Sequence, residues 1–171
     1  TVLENLYATK TIFEDAIGGN VGNLVYANSV LRALLTDDEV EIVPDHYYAE
    51  FGKYSAKDIS RINEEFEAYI IPFADAFRKD FIRSMKRMTN FIKRLRIPVI
   101  IVGVGVSADY GQDIMEPMPQ DDAVRELVTE VLNRSSGGGV SGESTDTYLT
   151  DKLGCPKDSV TVIGCPSMYT F

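Results

Sequence analysis

The chain has 171 residues, of which 44% are hydrophobic and 25% charged, and its formal net charge is -9. That is the size of one ordinary domain, able to bury roughly two-thirds of the surface its unfolded form exposes. The acidic balance argues against a nucleic-acid partner, whose phosphates need a basic surface, and no run of about 18 apolar residues could span a bilayer. No basic and apolar leader of the secretory kind opens the sequence. The two cysteines, Cys155 and Cys165, lack metal-binding or disulfide-framework spacing and are read as buried thiols in a reducing, cytoplasmic setting. Asn133-Arg134-Ser135 matches a glycosylation acceptor, a pattern without meaning in that setting.

Residues 1–17 carry no convincing strand or helix pattern and read as an irregular segment. From Asn23 to Leu35, apolar residues at Leu24, Val25, Val30, Leu31, Leu34 and Leu35 predict a helix. Val40 to Val43 is strand-like and is closed by Pro44. Ser55 to Glu65 reads as a short polar helix, and Ala68 to Phe73 as a strand. Phe77, Phe81, Met85, Met88, Ile92 and Leu95 recur every three or four residues, predicting one amphipathic helix over Phe77 to Leu95. The run Pro98 to Val106 is apolar on both faces, as a strand in a sheet covered on both sides must be. A helix follows over Asp121 to Asn133, then a short strand around Val140, a helix over Ser144 to Lys152, and a last strand over Ser159 to Gly164.

Five strands alternating with helices predict an α/β fold, a Rossmann-like doubly wound parallel sheet formed by residues 1–171 as a single domain. The tract Ser135 to Gly139 is the one low-complexity stretch. The absence of a first strand before the Gly/Asn-rich segment, and the ending shortly after a strand, suggest one half of a larger protein.

In such a sheet ligands gather where the strands end at their carboxyl side, and four segments are candidates. Gly18 to Asn23 is rich in glycine and asparagine ahead of a helix; Asn20, Gly22 and Asn23 either offer N–H groups to an anion or sugar, or merely cap the helix. Gly103 to Ala108 matches G-x-G-x-x-A, but a long irregular stretch intervenes before the next helix. It therefore supports only close approach at Gly105 and Ser107, with no dinucleotide site. Arg78 falls just past a strand, where its guanidinium either grips a carboxylate or phosphate or is simply a surface arginine, while Lys79 is assigned to the solvated face. Ser141, Glu143 and Ser144 follow the flexible glycine run and either line a site or cap the next helix.

Eight of the 17 basic residues lie between Arg78 and Arg96, a face suited to solvent, to an acidic partner or to peripheral membrane contact. No Walker loop, G-x-S-x-G elbow or HExxH is present. His46, the only histidine, reads as a surface or packing residue, so neither a metal site nor a Ser/His relay is expected.

Four segments in order, "GGNVGNLVYANSVLRALL", "YIIPFADAF...FIKRLRIPVIIVGVGVS", "GESTDTYLTDKLG" and "VTVIGCPS", resemble the polysaccharide pyruvyl transferase family over about residues 18 to 167. The resemblance implies the N-terminal half of a two-domain, GT-B-like protein with its site in the cleft between two Rossmann-like halves. It implies transfer of a pyruvyl group from phosphoenolpyruvate, the donor substrate, to a hydroxyl pair of a glycan acceptor, with no further cofactor. Arg78 would then be a cation for the donor and Glu143 an acid or base. Asn20 and Asn23 would orient the sugar, with Gly22, Gly105, Ser107 and Ser141 lining the same site. A second Rossmann-like domain would supply the main cationic clamp. Where the family pattern leads one to expect arginine before "GESTDTYL", this chain has Ser141. The alternatives are a non-catalytic sugar- or nucleotide-binding module and half of a GT-B glycosyltransferase.

Overall fold

The computed structural model describes residues 21–34, 40–43 and 54–169. They fall into two compact units. One contains helix α1 (Val21–Leu34) and the closing 3-10 turn Pro166–Tyr169; the other is Phe51–Cys165.

In the first unit, α1 begins at Val21, two residues ahead of expectation, so Gly22 and Asn23 lie in its first turn and not in a preceding loop. Tyr26, Ser29 and Val30 form its buried stripe. Ser29 is tolerated there because its hydroxyl donates to the Val25 carbonyl at 2.7 Å, leaving no orphaned polar group. The turn Pro166–Tyr169 packs on this helix. Val40 to Val43 is not a strand, and Val40 and Val43 are exposed. Strand propensity alone does not hold four residues extended; a ladder must take up their backbone groups.

The second unit opens with α2 (Ala56–Glu65), as expected. The Ser55 hydroxyl accepts from the Asp58 N–H at 3.2 Å, and the Asp58 carboxylate accepts from the Ser55 N–H at 2.8 Å, a reciprocal capping box. Strand β1 (Tyr69–Pro72) pairs in parallel with β2 (Val99–Val102), Tyr69 opposite Val99. Between them the long amphipathic helix is shorter than its periodicity predicts. Phe77 is in a parallel bridge with Val106, a 3-10 turn covers Lys79–Phe81, and only Ile82–Ile92 is α-helical (α3). Phe77 is fully buried, its N–H donates to Gly105 and its carbonyl accepts from Ser107, so sheet pairing wins over the helical pattern. Met85, Met88, Phe91 and Ile92 face inward from α3, each burial contributing about 2 kcal/mol.

Helix α4 (Asp121–Leu132) packs on α3 and on β2. Next come β3 (Gly138–Val140), α5 (Glu143–Thr147), a π-helical turn Tyr148–Lys152 and β4 (Val160–Val162), which pairs in parallel with β3. The supposedly flexible glycine run is thus the start of a strand. A Cβ on Gly139 would collide with the Ile163 side chain, so close packing selects glycine there.

A bridge between Val104 and Val140 links the two ladders, giving the parallel order β1-β2-β3-β4. Successive strands that step in one direction through right-handed crossovers stack their helices on one face. Accordingly Val99 and Ile101 of β2 are buried, while Ile100 and Val102 are only half-buried. The fold is α/β with parallel strands; the reversal that makes a sheet doubly wound is not among the described strands. No described helix is long and apolar enough to cross a membrane.

Two charged clusters fasten the unit. Arg134 donates to the Leu95, Lys93 and Glu130 carbonyls and to the Glu130 carboxylate, closing the carboxyl ends of α3 and α4 with one cation. Lys152 donates to the Ile114 and Glu116 carbonyls at 2.8 and 2.6 Å and to Asp121 at 3.0 Å. Asp121 also accepts from the Tyr148 hydroxyl and the Met118 N–H. Burial pushes the Asp121 carboxyl up, but the bonds from Met118, Lys152 and Tyr148 outweigh it and hold the group below its ordinary value. Burial, then the Asp121 charge, pushes the Tyr148 phenol up.

Because the folded Asp121 pKa is depressed, its stabilisation is present above the ordinary carboxylate range and is lost as pH falls through the folded value. Lys152→Met strands the carboxylate and the two carbonyls, and urea unfolding at neutral pH should show a loss of about 3 kcal/mol. The same variant should lose less stability than the parent on acidification. An equal acid loss in both would show that Lys152 does not set the Asp121 titration.

Candidate functional site

The loops at the carboxyl ends of β1, β2 and β3 converge. After β1, the chain turns at Ala74 and Asp75, and the Ala74 carbonyl accepts from the Gly105 N–H at 2.8 Å. After β2, Gly103 and Val104 both donate to the Gly139 carbonyl of β3, and Ser141 returns a bond to Val104 at 2.8 Å. The result sets Gly105 against both neighbours: a Cβ there would lie 2.9 Å from the Ser141 Oγ and 3.7 Å from the Asp75 Cα. The Val106 N–H donates to the hydroxyl of buried Thr145 at 3.0 Å, tying the same loop to α5.

Arg78 enters from the β1 side. Its Nη1 donates to Asp75 at 2.8 Å, and its guanidinium lies 5.0 Å from the centre of the Phe81 ring. The Nε–H is buried and has no acceptor among the described residues. One face of the guanidinium is therefore braced, and its side chain remains 36% exposed. Glu143, the first residue of α5, is exposed and has no ion pair among the described residues. Ser107 is half-buried at the base of the loop after β2, its carbonyl held by the buried Gln120 at 3.2 Å.

Of the residues singled out from sequence, Gly105 and Ser141 are thus in contact. Ser107 is joined to the β1 side through its N–H bond to Phe77, and Arg78 reaches the group through Asp75. Gly22 and Asn23 belong to the other unit. Asn20 and His46 lie outside the described residues. Sequence reasoning passed over Asp75, although an acid three residues before Arg78 in a loop is a signal for a local ion pair. Lys79 is exposed, as expected, and is also ion-paired. Its ammonium meets both Asp109 oxygens at 2.8 and 2.7 Å, and that hydrogen-bonded partner raises its pKa. Both cysteines are free and half-buried, less enclosed than expected; burial still pushes the Cys155 thiol up.

Two concavities lie elsewhere. A small, mostly apolar cavity under the sheet is lined by Phe77, Ile101, Val104, Val128 and Val140 and by Ser159, whose hydroxyl already donates to the Pro156 carbonyl. A shallow groove between Ser135, Ser136, Pro156 and Asp158 sits at the amino ends of β3 and β4, the edge opposite the converging loops. No cluster of three His, Cys, Asp or Glu side chains able to hold a metal occurs among the described residues.

Gly105→Ala should cost about 1 kcal/mol because its new methyl crowds Ser141. In a Ser141→Ala background, roughly half or more of that penalty should vanish, a coupling readable in a double-mutant cycle of urea midpoints. Strict additivity would mean that the two residues are not in contact.

In comparisons with known proteins, no family model, no curated protein and no solved structure matches the chain.

Proposed function

We propose that this chain is the N-terminal half of a polysaccharide pyruvyl transferase-like enzyme, a Rossmann-like partner to a second domain of similar kind. The observation that carries the reading is the meeting of Arg78, Asp75, Gly105 and Ser141 at the carboxyl edge of parallel strands. The four ordered segments that resemble the family include those loops.

The reaction makes definite demands. The methylene carbon of phosphoenolpyruvate takes up a proton, two sugar hydroxyl oxygens bond to its central carbon, and the bond to the phosphate oxygen breaks. Of the two hydroxyl protons, one balances the new methyl and the other leaves with phosphate. Arg78 suits the donor's carboxylate or phosphate, since Asp75 occupies one of its five N–H donors and the Phe81 ring lies under its guanidinium. Glu143 is open to solvent beside Ser141 and suits proton transfer at a sugar hydroxyl. Gly105 lets the Ser141 hydroxyl sit close against the loop after β2, where it can hydrogen-bond a sugar.

The charge of Arg78 is already balanced by Asp75, and that pairing favours a second reading, a sugar-binding module that performs no transfer. The full-length protein decides between them when incubated with phosphoenolpyruvate and microbial glycans. Phosphate release with ketal formation is expected, and Arg78→Lys should lower kcat/KM for the donor at least about tenfold, on the order of 1.4 kcal/mol, with an unchanged melting temperature. Glycan binding without any phosphate release would support the module instead.

A further inference from the structure

The excursion from Ser107 to Gln120 leaves the carboxyl end of β2 and is fastened at several points. Its base is closed by the bond from the Gln120 amide to the Ser107 carbonyl at 3.2 Å. One flank is held by the Lys79–Asp109 pair, and the other by Lys152, whose ammonium takes the Ile114 and Glu116 carbonyls. Within it, the Gln112 N–H donates to the Asp109 carbonyl at 3.0 Å across Tyr110 and Gly111, and Gly111 has φ +80°. This is a type II turn, in which glycine is required at the third position while the second has no need of an aromatic residue. Yet Tyr110 stands there with 108% relative exposure, and Met115 on the next turn is 43% exposed.

Isolated apolar residues on a surface are ordinary. A whole aromatic ring at the tip of a loop anchored on both flanks is different: it contributes nothing to the core, and its backbone is already ordered. Such a ring can engage a ligand at little entropic cost. Its surroundings narrow the occupant. Asp109 adjoins it in sequence, Asp113 and Glu116 follow on the same excursion, and all three are exposed; this acidic balance disfavours anionic lipid or nucleic acid, and with Lys79 on Asp109 the Asp113 and Glu116 carboxylates offer the acceptors for hydroxyl groups. The face of an aromatic ring is electronegative and attracts the weakly positive C–H face of a pyranose. Lys79 follows Arg78 in sequence and Asp109 precedes Tyr110, so one ion pair links the tyrosine turn to the donor-side arginine.

We propose that Tyr110 is a stacking platform for a neutral sugar ring of the acceptor glycan. This rests on the glycan reading above, and extends it to a residue outside the converging loops. The test uses the full-length protein with its tyrosine rings isotope-labelled, titrated separately with oligosaccharides of β-1,4-linked glucose, N-acetylglucosamine and galactose, without phosphoenolpyruvate. At least one should shift the Tyr110 ring resonances. Tyr110→Ala should weaken that binding at least about tenfold, and Tyr110→Phe, which keeps the face, by no more than about twofold. Vesicles of phosphatidylcholine and phosphatidylglycerol should leave the resonances unmoved. The proposal is overturned if no oligosaccharide moves the ring, if Tyr110→Ala binds as well as the parent, or if the vesicles alone move it. Because binding is read without the donor, absence of pyruvyl transfer leaves this result standing. Transfer that proceeds with unaltered glycan affinity in Tyr110→Ala overturns the stacking role alone.

Discussion

A seam of three backbone hydrogen bonds holds the larger unit together. Gly103 and Val104 share the Gly139 carbonyl, and Ser141 donates back to Val104. Without it the protein has two separate two-stranded ladders, each too small to be stable on its own. With it the four strands align, the carboxyl ends of β1, β2 and β3 come together, and Gly105 is brought against Ser141. Close side-chain contacts occupy the places a Cβ would take on two nearby glycines: the Ile163 side chain at Gly139 and the Ser141 hydroxyl at Gly105.

The polar interior divides between fastening and function. Lys152, Asp121 and Tyr148 satisfy one another and the turn carbonyls, so this nearly enclosed charge is structural in character. Arg134 plays the corresponding part at the helix ends. Arg78 differs from both: it is braced by one carboxylate and one ring, keeps unused donors, and lies at the edge where parallel sheets receive ligands. The contrast between saturated and unsaturated cations is a physical reason to look for anion recognition at Arg78 and not at Lys152 or Arg134.

The basic run from Arg78 to Arg96 is divided in the same way. Lys79 and Lys93 pair with Asp109 and Glu126, and Arg94 reaches the Tyr54 carbonyl. Arg83, Lys86 and Arg87 remain exposed on the outer face of α3, without ion pairs among the described residues. Exposed pairs such as Lys79–Asp109 are screened by solvent and add little to stability, so what that pair supplies is a fixed point for the tyrosine turn.

Local patterns alone were enough to place α2, β1, β2, α4 and β4 to within a residue or a few, because capping chemistry, apolar periodicity and short β-rich runs act over neighbouring residues. The parallel α/β class followed from their alternation. Local patterns failed where a distant partner decided the outcome. Phe77 carries a helical spacing but is claimed by Val106; Val40 to Val43 has strand propensity but no ladder; the glycine run before Val140 looks flexible but is packed against Ser159 and Ile163. For the site, sequence could nominate Gly105, Ser141 and Arg78 singly as residues following strands. Their convergence and the Lys79–Asp109 anchor depend on strand order and crossover, which bring together residues about 30 or more positions apart, whereas the Asp75 brace is a local pair three residues from Arg78. Hydrogen bonding along the chain is written locally, whereas pairing across it belongs to whichever segment offers unsatisfied backbone and a complementary surface, and only the folded chain selects among them.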